Sequence, residues 1–517
     1  MPVIGRPRAA AAFALLALAF VAVRTYHLTV LPIFIDESLH LFWSQRVREE
    51  PGFDRPLRDG KPLQALVTSL TVPGAEDPLW AGRMTSVMVG ALGLWAAWRI
   101  GRRLFDERTG WVAAVLYFTC PFTFFYDRMA LSDVYLSTFA ALTLLASIAV
   151  VRDPTPIGGF GLGLALAGCV LSKVPGLMLF ALPVAAALLL PPRRPGLWRA
   201  LAVAYAVAAL LAAYPAWYFL AHSSQVRKAA GVEEEVEVAH LLIDNAGDAV
   251  RWLWSYWTWP VVIAGLLGLG LGIVRRRGPE LLLAAASLVP VAVFVSFSFY
   301  WYPRYVLFAT VPFLVLAARV LVMVAERLAG VARLVPGRVD PAGRGSVAWL
   351  AAVLAASVLP AVRFDAALLE NPAKAPLPKL ERFQYVDGFS SGYGTAEAVT
   401  WLRGQLAAHP SQTITVAAQT PGRRTLFLGL RTYFMDEPRV EVLWIDPVAA
   451  PGREMLLDRA REHPTYLVTS SKDEAGNQFA ALGALRLAQW RKPNGVLAGE
   501  LYQVRGPATS GETEAPR

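Results

Sequence analysis

Apolar runs long enough to cross a lipid bilayer recur along the chain, and no other property limits its fold so severely. Windows of roughly 17–25 apolar residues fall near 9–24, 80–98, 110–126, 132–151, 157–171, 174–191, 198–220, 258–274, 280–300, 304–325 and 346–362. Inside a bilayer each backbone N–H and C=O must be satisfied within its own segment, so runs of this kind become helices. Composition agrees: 55% of residues are hydrophobic, 17% are charged, and mean hydropathy is +0.43. The expectation is a polytopic α-helical membrane protein with about eleven transmembrane helices. The cut between 157–171 and 174–191 rests on Ser172-Lys173-Val174-Pro175, where Pro175 suits the first turn of a new helix. A single kinked segment fits the same residues.

Charge orients the spans. Arg6 and Arg8, then Arg99, Arg102, Arg103 and Arg108, then Arg152, Arg193, Arg194 and Arg199, Arg275, Arg276 and Arg277, and Arg327, Arg333, Arg338 and Arg344 occupy alternate loops. The intervening loops carry Asp36, Glu37, Glu49, Glu50, Asp54 and Asp59, and later Glu233, Glu234, Glu235 and Glu237. The positive-inside rule then places the N-terminus in the cytoplasm and the C-terminus outside a plasma (inner) membrane, with an odd number of spans. No small-x-small cleavage site follows Val23, and Arg24-Thr25-Tyr26-His27 reads as the end of a retained anchor. The net charge of +10 is spread over short loops, which argues against nucleic acid as a partner. Cys120 and Cys169 each lie inside an apolar run, which argues against a disulfide framework. The six histidines show no metal-ligand spacing. Residues 233–237 read as a solvated acidic face. Trp252, Trp254, Trp257 and Trp259 read as an interfacial belt, and Gly158-Gly159-Phe160-Gly161 as a helix-packing surface.

Residues 1–364 thus form the membrane domain, with 25–79 as its first external loop. Residues 365–394, rich in Pro, Lys, Gly and Ser, read as a linker. Residues 395–505 read as a soluble extracytoplasmic α/β domain. Helices are expected at 396–408, with Thr395 as N-cap, and at 455–461. Strands are expected at 413–417, 440–444, 466–468, 485–490 and 501–504. Residues 506–517 read as a disordered tail.

The external loops hold the reactive groups. Phe34-Ile35-Asp36-Glu37 follows the first span on the side that arginines avoid. Leu39, Phe42, Trp43 and Val47 recur behind it at helical spacing, which suggests an amphipathic helix lying in the membrane interface. Leu63, Leu66, Val67 and Leu70 follow Asp59-Gly60-Lys61-Pro62 in the same way. Such loops would hold Asp36 and Lys61 at headgroup depth, where a lipid-linked phosphosugar presents its polar end. Sugar transfer from a polyprenyl phosphate needs a carboxylate to take the proton of the incoming hydroxyl. It also needs cations to stabilise the departing phosphate. Asp36 is the candidate base, and Lys61, Arg128, Lys173 and Arg304 are candidate cations. Arg304 opens a helix within Tyr300-Trp301-Tyr302-Pro303-Arg304-Tyr305, where free N–H groups favour anions. A snorkelling arginine in an aromatic belt fits the same residues.

Asp127, Arg128 and Asp133 lie at membrane depth, a costly place unless they are paired or used. Asp127 and Arg128 neutralising their neighbours is the plainer reading, and Asp133 also suits a helix N-terminus. For Asp36-Glu37 the plainer reading is a solvated pair or a helix cap.

Taken in order, Phe34-Ile35-Asp36-Glu37, Asp59-Gly60-Lys61-Pro62-Leu63, the 127–133 segment, Ser172-Lys173-Val174-Pro175-Gly176 and Pro303-Arg304-Tyr305 resemble the GT-C superfamily of membrane glycosyltransferases. The nearest branch holds the protein O-mannosyltransferases and the aminoarabinose transferases of lipid A. The resemblance covers roughly residues 1–320 and implies a GT-C-like fold and inverting transfer from a polyprenyl-phosphate sugar. It implies Asp36 as base, with Glu37 and Asp133 shaping the site. Lys61 and Arg304 would engage the donor phosphate, with Asp59, Asp127, Arg128, Lys173 and Tyr305 in the substrate-binding set. Relatives often carry Lys-Pro-Pro-Leu where this chain has Lys61-Pro62-Leu63, and residues 395–505 show no trefoil-like repeat. Expected partners are the polyprenyl-phosphate donor, membrane lipids and a protein, lipid or glycan acceptor. Nothing in the sequence requires a cofactor, and a divalent metal is compatible with it. The competing readings are a lipid-linked-sugar flippase or transporter, which would favour midplane polar groups and internal repeats, and a non-catalytic envelope assembly protein.

Overall fold

The computed structural model describes residues 6–192, 194–223, 238–297, 301–332, 344–419, 424–469, 479 and 482–505. The acidic run at 233–237 and the tail from Gly506 lie outside them. The chain divides into two compact units. One is helical and comprises residues 1–28, 52–67 and 83–378; the other comprises 29–51, 68–82 and 379–517.

In the helical unit the apolar runs fall on helices, several of them interrupted where proline intervenes. Six described helices are long and apolar enough to cross a membrane: Arg8–Thr25, Ser132–Arg152, Leu197–His222, Gly278–Ser296, Pro303–Val331 and Gly345–Glu370. Leu242–Trp257 and Trp259–Val274 pass the same test together as a pair bent by 113°, with Thr258 between them at φ 65°. Pro156–Ser172 and Val174–Leu189 are shorter apolar helices, so the 157–191 stretch is broken in two at Lys173. The protein is a multi-pass membrane protein.

Cys120 and Tyr302 are extended, as the residue before a proline prefers; Cys120 ends one helix and starts another, and Tyr302 starts the Pro303–Ala309 turn. Gly159 and Gly163 fit the packing reading of their neighbourhood. A Cβ there would lie 2.2 and 2.5 Å from the Ala200 and Ala204 carbonyl oxygens of the Leu197–His222 helix.

The four tryptophans are not a simple belt. The Val238–Trp257 helix points Trp252 and Trp257 inward and leaves Trp254 exposed. Trp252 packs on Trp301, and Trp257 stacks on Phe313 with centroids 3.9 Å apart. Its indole N–H donates to the Thr310 hydroxyl at 3.1 Å.

The second unit carries a five-stranded mixed sheet of β1 (Ile414–Gln419), β2 (Val440–Ile445), β3 (Thr465–Thr469), β4 (Leu485–Arg491) and β5 (Leu497–Val504). The order is β2-β1-β3-β5-β4. β1 pairs in parallel with β2 and β3, while β5 runs antiparallel to β3 and β4. The parallel strands require helical crossovers, supplied by Arg424–Tyr433 and Ala450–Glu462. Ile414, Val416, Ala418, Val468 and Leu501 pack with Val399 and Leu402 on one face. Ala417, Leu467 and Tyr502 pack with Leu456 and Phe479 on the other. All five expected strands are present. Thr395 is not the N-cap of its helix: Gly394 at φ 91° holds that place, and its N–H donates to Glu397 at 2.8 Å.

Two boundaries differ from the sequence reading. Residues 365–394 are not a loose linker: helix continues to Glu370, and turns at Pro372–Lys374 and Lys379–Asp387 follow. Phe364, Leu368 and Leu377 are buried in the helical unit, and Tyr385 and Val386 in the other. The serines make turn bonds, Ser390 to the Gln384 carbonyl and Ser391 to the Gly388 carbonyl.

The 25–79 loop is likewise not one element. Its Ile35–Glu49 helix packs on the Arg424–Tyr433 helix, burying Leu41 and Trp43. The Thr432 hydroxyl donates to the Ser38 carbonyl, and Gln45 to that of Met435, each at 3.1 Å. The face bearing Ser38, Leu41 and Gln45 thus has a protein partner, while Leu39, Phe42 and Val47 of the apolar stripe stay half-buried.

Candidate functional site

In the helical unit, two cations and a carboxylate meet where apolar helices break. Asp133 is the second residue of the Ser132–Arg152 helix and is 4% exposed. Lys173 leaves the Pro156–Ser172 helix in an extended conformation, which turns its side chain away from that helix's own axis. Its Nζ lies 2.8 Å from Asp133 Oδ1 and 4.0 Å from the centre of the Tyr305 ring. Arg304 follows Pro303 at the start of a 3₁₀ turn, Pro303–Ala309. Its Nε stands 4.0 Å from Asp133 Oδ2, and its guanidinium lies 4.5 Å from the Tyr302 ring and 5.7 Å from that of Tyr305. A carboxylate and aromatic faces together hold both cations in place. Tyr302 was not singled out in the sequence; the Tyr-Pro-Arg-Tyr spacing was its signal.

The loop before Lys61 comes to the same place. Gly60 has φ 68°, and a Cβ there would lie 2.8 Å from the Phe219 ring and 2.9 Å from Val174, the neighbour of Lys173. Only a residue without a side chain lets this backbone pass so close. Pro62 then opens the Pro62–Thr68 helix, the position where proline costs least, so Lys61-Pro62-Leu63 is a workable helix start. Asp54 anchors the loop, accepting from the Tyr218 hydroxyl and from Arg58 Nε at 2.7 Å. The Tyr218 hydrogen bond, with help from Arg58, holds the Asp54 carboxyl below its ordinary range. Asp59 lies 3.8 Å from Arg55 one turn back.

Asp127 and Arg128 are engaged elsewhere. Asp127 pairs with Arg24 at 3.3 Å and accepts from the Tyr117 hydroxyl at 3.4 Å. Arg128 donates to the His27 carbonyl at 2.7 Å and lies over the Phe124 ring. Arg24, fully buried, also donates to the Phe118 carbonyl, and Arg83 donates to that of Leu28. These bonds fasten the end of the first helix to its neighbours; Asp127 is ion-paired, while Arg128 is held by a carbonyl and a ring. Arg24 and Arg83 were missed as members of this network. A buried partner for Asp127 was the signal, since an unpaired carboxylate at that depth is costly.

In the second unit, Asp36 and Glu37 are the second and third residues of the Ile35–Glu49 helix. Glu37 is completely buried and accepts the Phe34 N–H at 3.0 Å, which makes it a helix cap. Phe34 in turn packs on Tyr385 with centroids 4.5 Å apart. Asp36 is half-buried. The dipeptide thus divides into one carboxylate that fixes the helix end and one that the helix end presents.

Residues 59–219, which carry Lys61, Asp133 and Lys173, match the family model described as dolichyl-phosphate-mannose-protein mannosyltransferase. Among solved structures, ArnT from Cupriavidus metallidurans bound to undecaprenyl phosphate matches over 96% of this chain and 97% of its own. The TM-score is 0.59 and the identity 15%. The fold is that of the GT-C glycosyltransferases. The Archaeoglobus fulgidus oligosaccharyltransferase, in complex with zinc and sulfate, shares this GT-C architecture over 94% of the present chain and 72% of its own, with a TM-score of 0.55 and 13% identity. No curated protein sequence is significantly similar to this chain. The resemblance read from the ordered motifs, to the GT-C branch of protein mannosyltransferases and ArnT, is thereby supported. No three His, Cys, Asp or Glu side chains among the described residues gather as a metal ion would require.

Proposed function

We propose that the protein is an inverting glycosyltransferase, moving a sugar from a polyprenyl-phosphate donor to an acceptor hydroxyl at the outer face of the plasma membrane. The observation that carries this reading is the convergence of Lys173 and Arg304 on Asp133, beside Tyr305 and at helix breaks. Two preset cations suit a group whose negative charge grows as a bond breaks. The related ArnT binds undecaprenyl phosphate, and the archaeal enzyme AglB has been solved with a dolichol-phosphate. Both ligands are the polyprenyl-phosphate carrier that the proposed donor leaves behind when its sugar is transferred.

In the proposed reaction Asp36 takes the proton of the acceptor hydroxyl as its oxygen attacks the anomeric carbon. The bond from that carbon to the phosphate oxygen breaks on the opposite face, and the electron pair leaves with the phosphate. Lys173 and Arg304, with Lys61, stabilise that charge. The products are the glycosylated acceptor and polyprenyl phosphate.

The test uses the purified protein in lipid vesicles with a panel of radiolabelled polyprenyl-phosphate sugars, following release of polyprenyl phosphate. Release from one donor that disappears in Asp36→Asn supports the reading and names the sugar. Undiminished release in Asp36→Asn would sink the base assignment. Movement of donor between leaflets without release would establish a flippase instead.

A further inference from the structure

The second unit contains a cleft of about 730 Å³ that the proposed chemistry does not use. Tyr393, Trp401, Tyr433 and Trp490 line it, together with Asp77 and Glu397. All four rings are half-buried, with part of each surface facing out. No lysine, arginine or histidine is among its described lining residues; Arg403 lies 5.8 Å from the Tyr433 ring, and its guanidinium is bonded to the Glu76 and Tyr433 carbonyls.

The carboxylates are held firmly in place. Asp77 Oδ1 accepts the Leu79 and Trp80 N–H groups at 3.0 and 3.1 Å, and Glu397 Oε2 accepts that of Gly394 at 2.8 Å. Each is fixed through one oxygen, which leaves the second for a ligand. Burial, with Glu397 and Asp387 nearby, pushes the Tyr393 phenol up, so it stays a hydrogen-bond donor at neutral pH.

This lining selects by charge and shape. Aromatic faces and carboxylates are both negative, so a phosphate or other anion is repelled. A small ammonium ion would leave most of the volume empty, because a cleft of this size suits a ligand of many heavy atoms. What remains is a molecule with hydroxyl donors on its edges and weakly positive C–H groups on its faces, which is the surface of a sugar ring. We infer that the cleft binds an uncharged saccharide of about two rings. This deepens the functional reading and rests on it in one respect: the bound saccharide is the acceptor, which makes the acceptor a neutral glycan.

Saturation-transfer NMR on the full-length protein in lipid nanodiscs tests this without any donor present. The probes are mannobiose, chitobiose and galactobiose, with tetramethylammonium and a sugar phosphate as counter-probes. At least one disaccharide should receive saturation on its ring C–H protons at millimolar concentration. Tyr393→Ala should weaken its binding at least tenfold, and Glu397→Gln, which keeps the acceptor for the Gly394 N–H, severalfold. An unchanged thermal midpoint would show that both variants are folded. Binding by none of the disaccharides, binding indifferent to both substitutions, or preference for either counter-probe overturns the inference. Since no turnover is measured, binding can succeed where donor release fails, and the two readings stand or fall separately.

Discussion

Asp36 and Glu37 are consecutive on one helix, so their side chains leave it about 100° apart and meet different surroundings. Glu37 points into the unit and caps its own helix, whereas Asp36 is presented at the helix start. Substitution should separate the two. Asp36→Asn is expected to abolish transfer with the thermal midpoint unchanged. Glu37→Ala should cost about 1 kcal/mol of stability, read from the melting curve, while donor release survives in the fraction that remains folded. Asp133 makes a second test. Asp133→Asn leaves Lys173 and Arg304 without that counter-charge and should destabilise the protein by about 3 kcal/mol. Added polyprenyl phosphate should then raise the melting temperature more in the variant than in the wild type, because the ligand supplies the missing negative charge. The residue types at this site were legible in the sequence, since charges at membrane depth need a reason. Which charges share one place was not. Asp127 and Asp133 are six positions apart in one motif, yet the first answers to Arg24 and the second to Lys173. That choice depends on packing between distant helices.

At the scale of elements, hydrophobic periodicity located the apolar helices and the five strands closely, because burial acts on each locally. The Arg424–Tyr433 helix escaped notice, since its apolar face is short and its partner is the Ile35–Glu49 helix nearly 400 positions earlier. Periodicity picked out the apolar stripe of that earlier helix, but not its second face at Ser38, Leu41 and Gln45, which packs on a distant segment. The 54–61 loop makes its own predictions. Gly60→Ala must push the backbone off Phe219 and Val174 and should lower donor turnover on the order of 100-fold, in protein that still inserts and folds. The Asp54 clamp should respond to acid. Its carboxyl is held below the ordinary value, so the stabilisation is complete above that value and fades as pH falls through the lowered one. Hydrogen exchange over residues 52–61 should therefore quicken below about pH 4. In Tyr218→Phe it should already be fast at neutral pH.

On the scale of the whole molecule, the second unit is assembled from three separated stretches, 29–51, 68–82 and 379–517. The Ile35 N–H donates to the Ser390 carbonyl, and the Gly74 N–H to Asp436. A protein ending at Pro378 should therefore expose the faces of its early segments, aggregate or be degraded, and show no donor release. Residues 379–517 produced alone should give a soluble but loosely packed domain, which limited proteolysis would reveal. This interleaving also imposes an order in time. The ribosome makes Asp36 near the beginning, but the contacts that seat its helix belong to residues made near the end. A nascent or prematurely terminated chain carries the proposed base without its mounting. On the proposed mechanism, transfer is expected only once the later residues that seat this helix have been made.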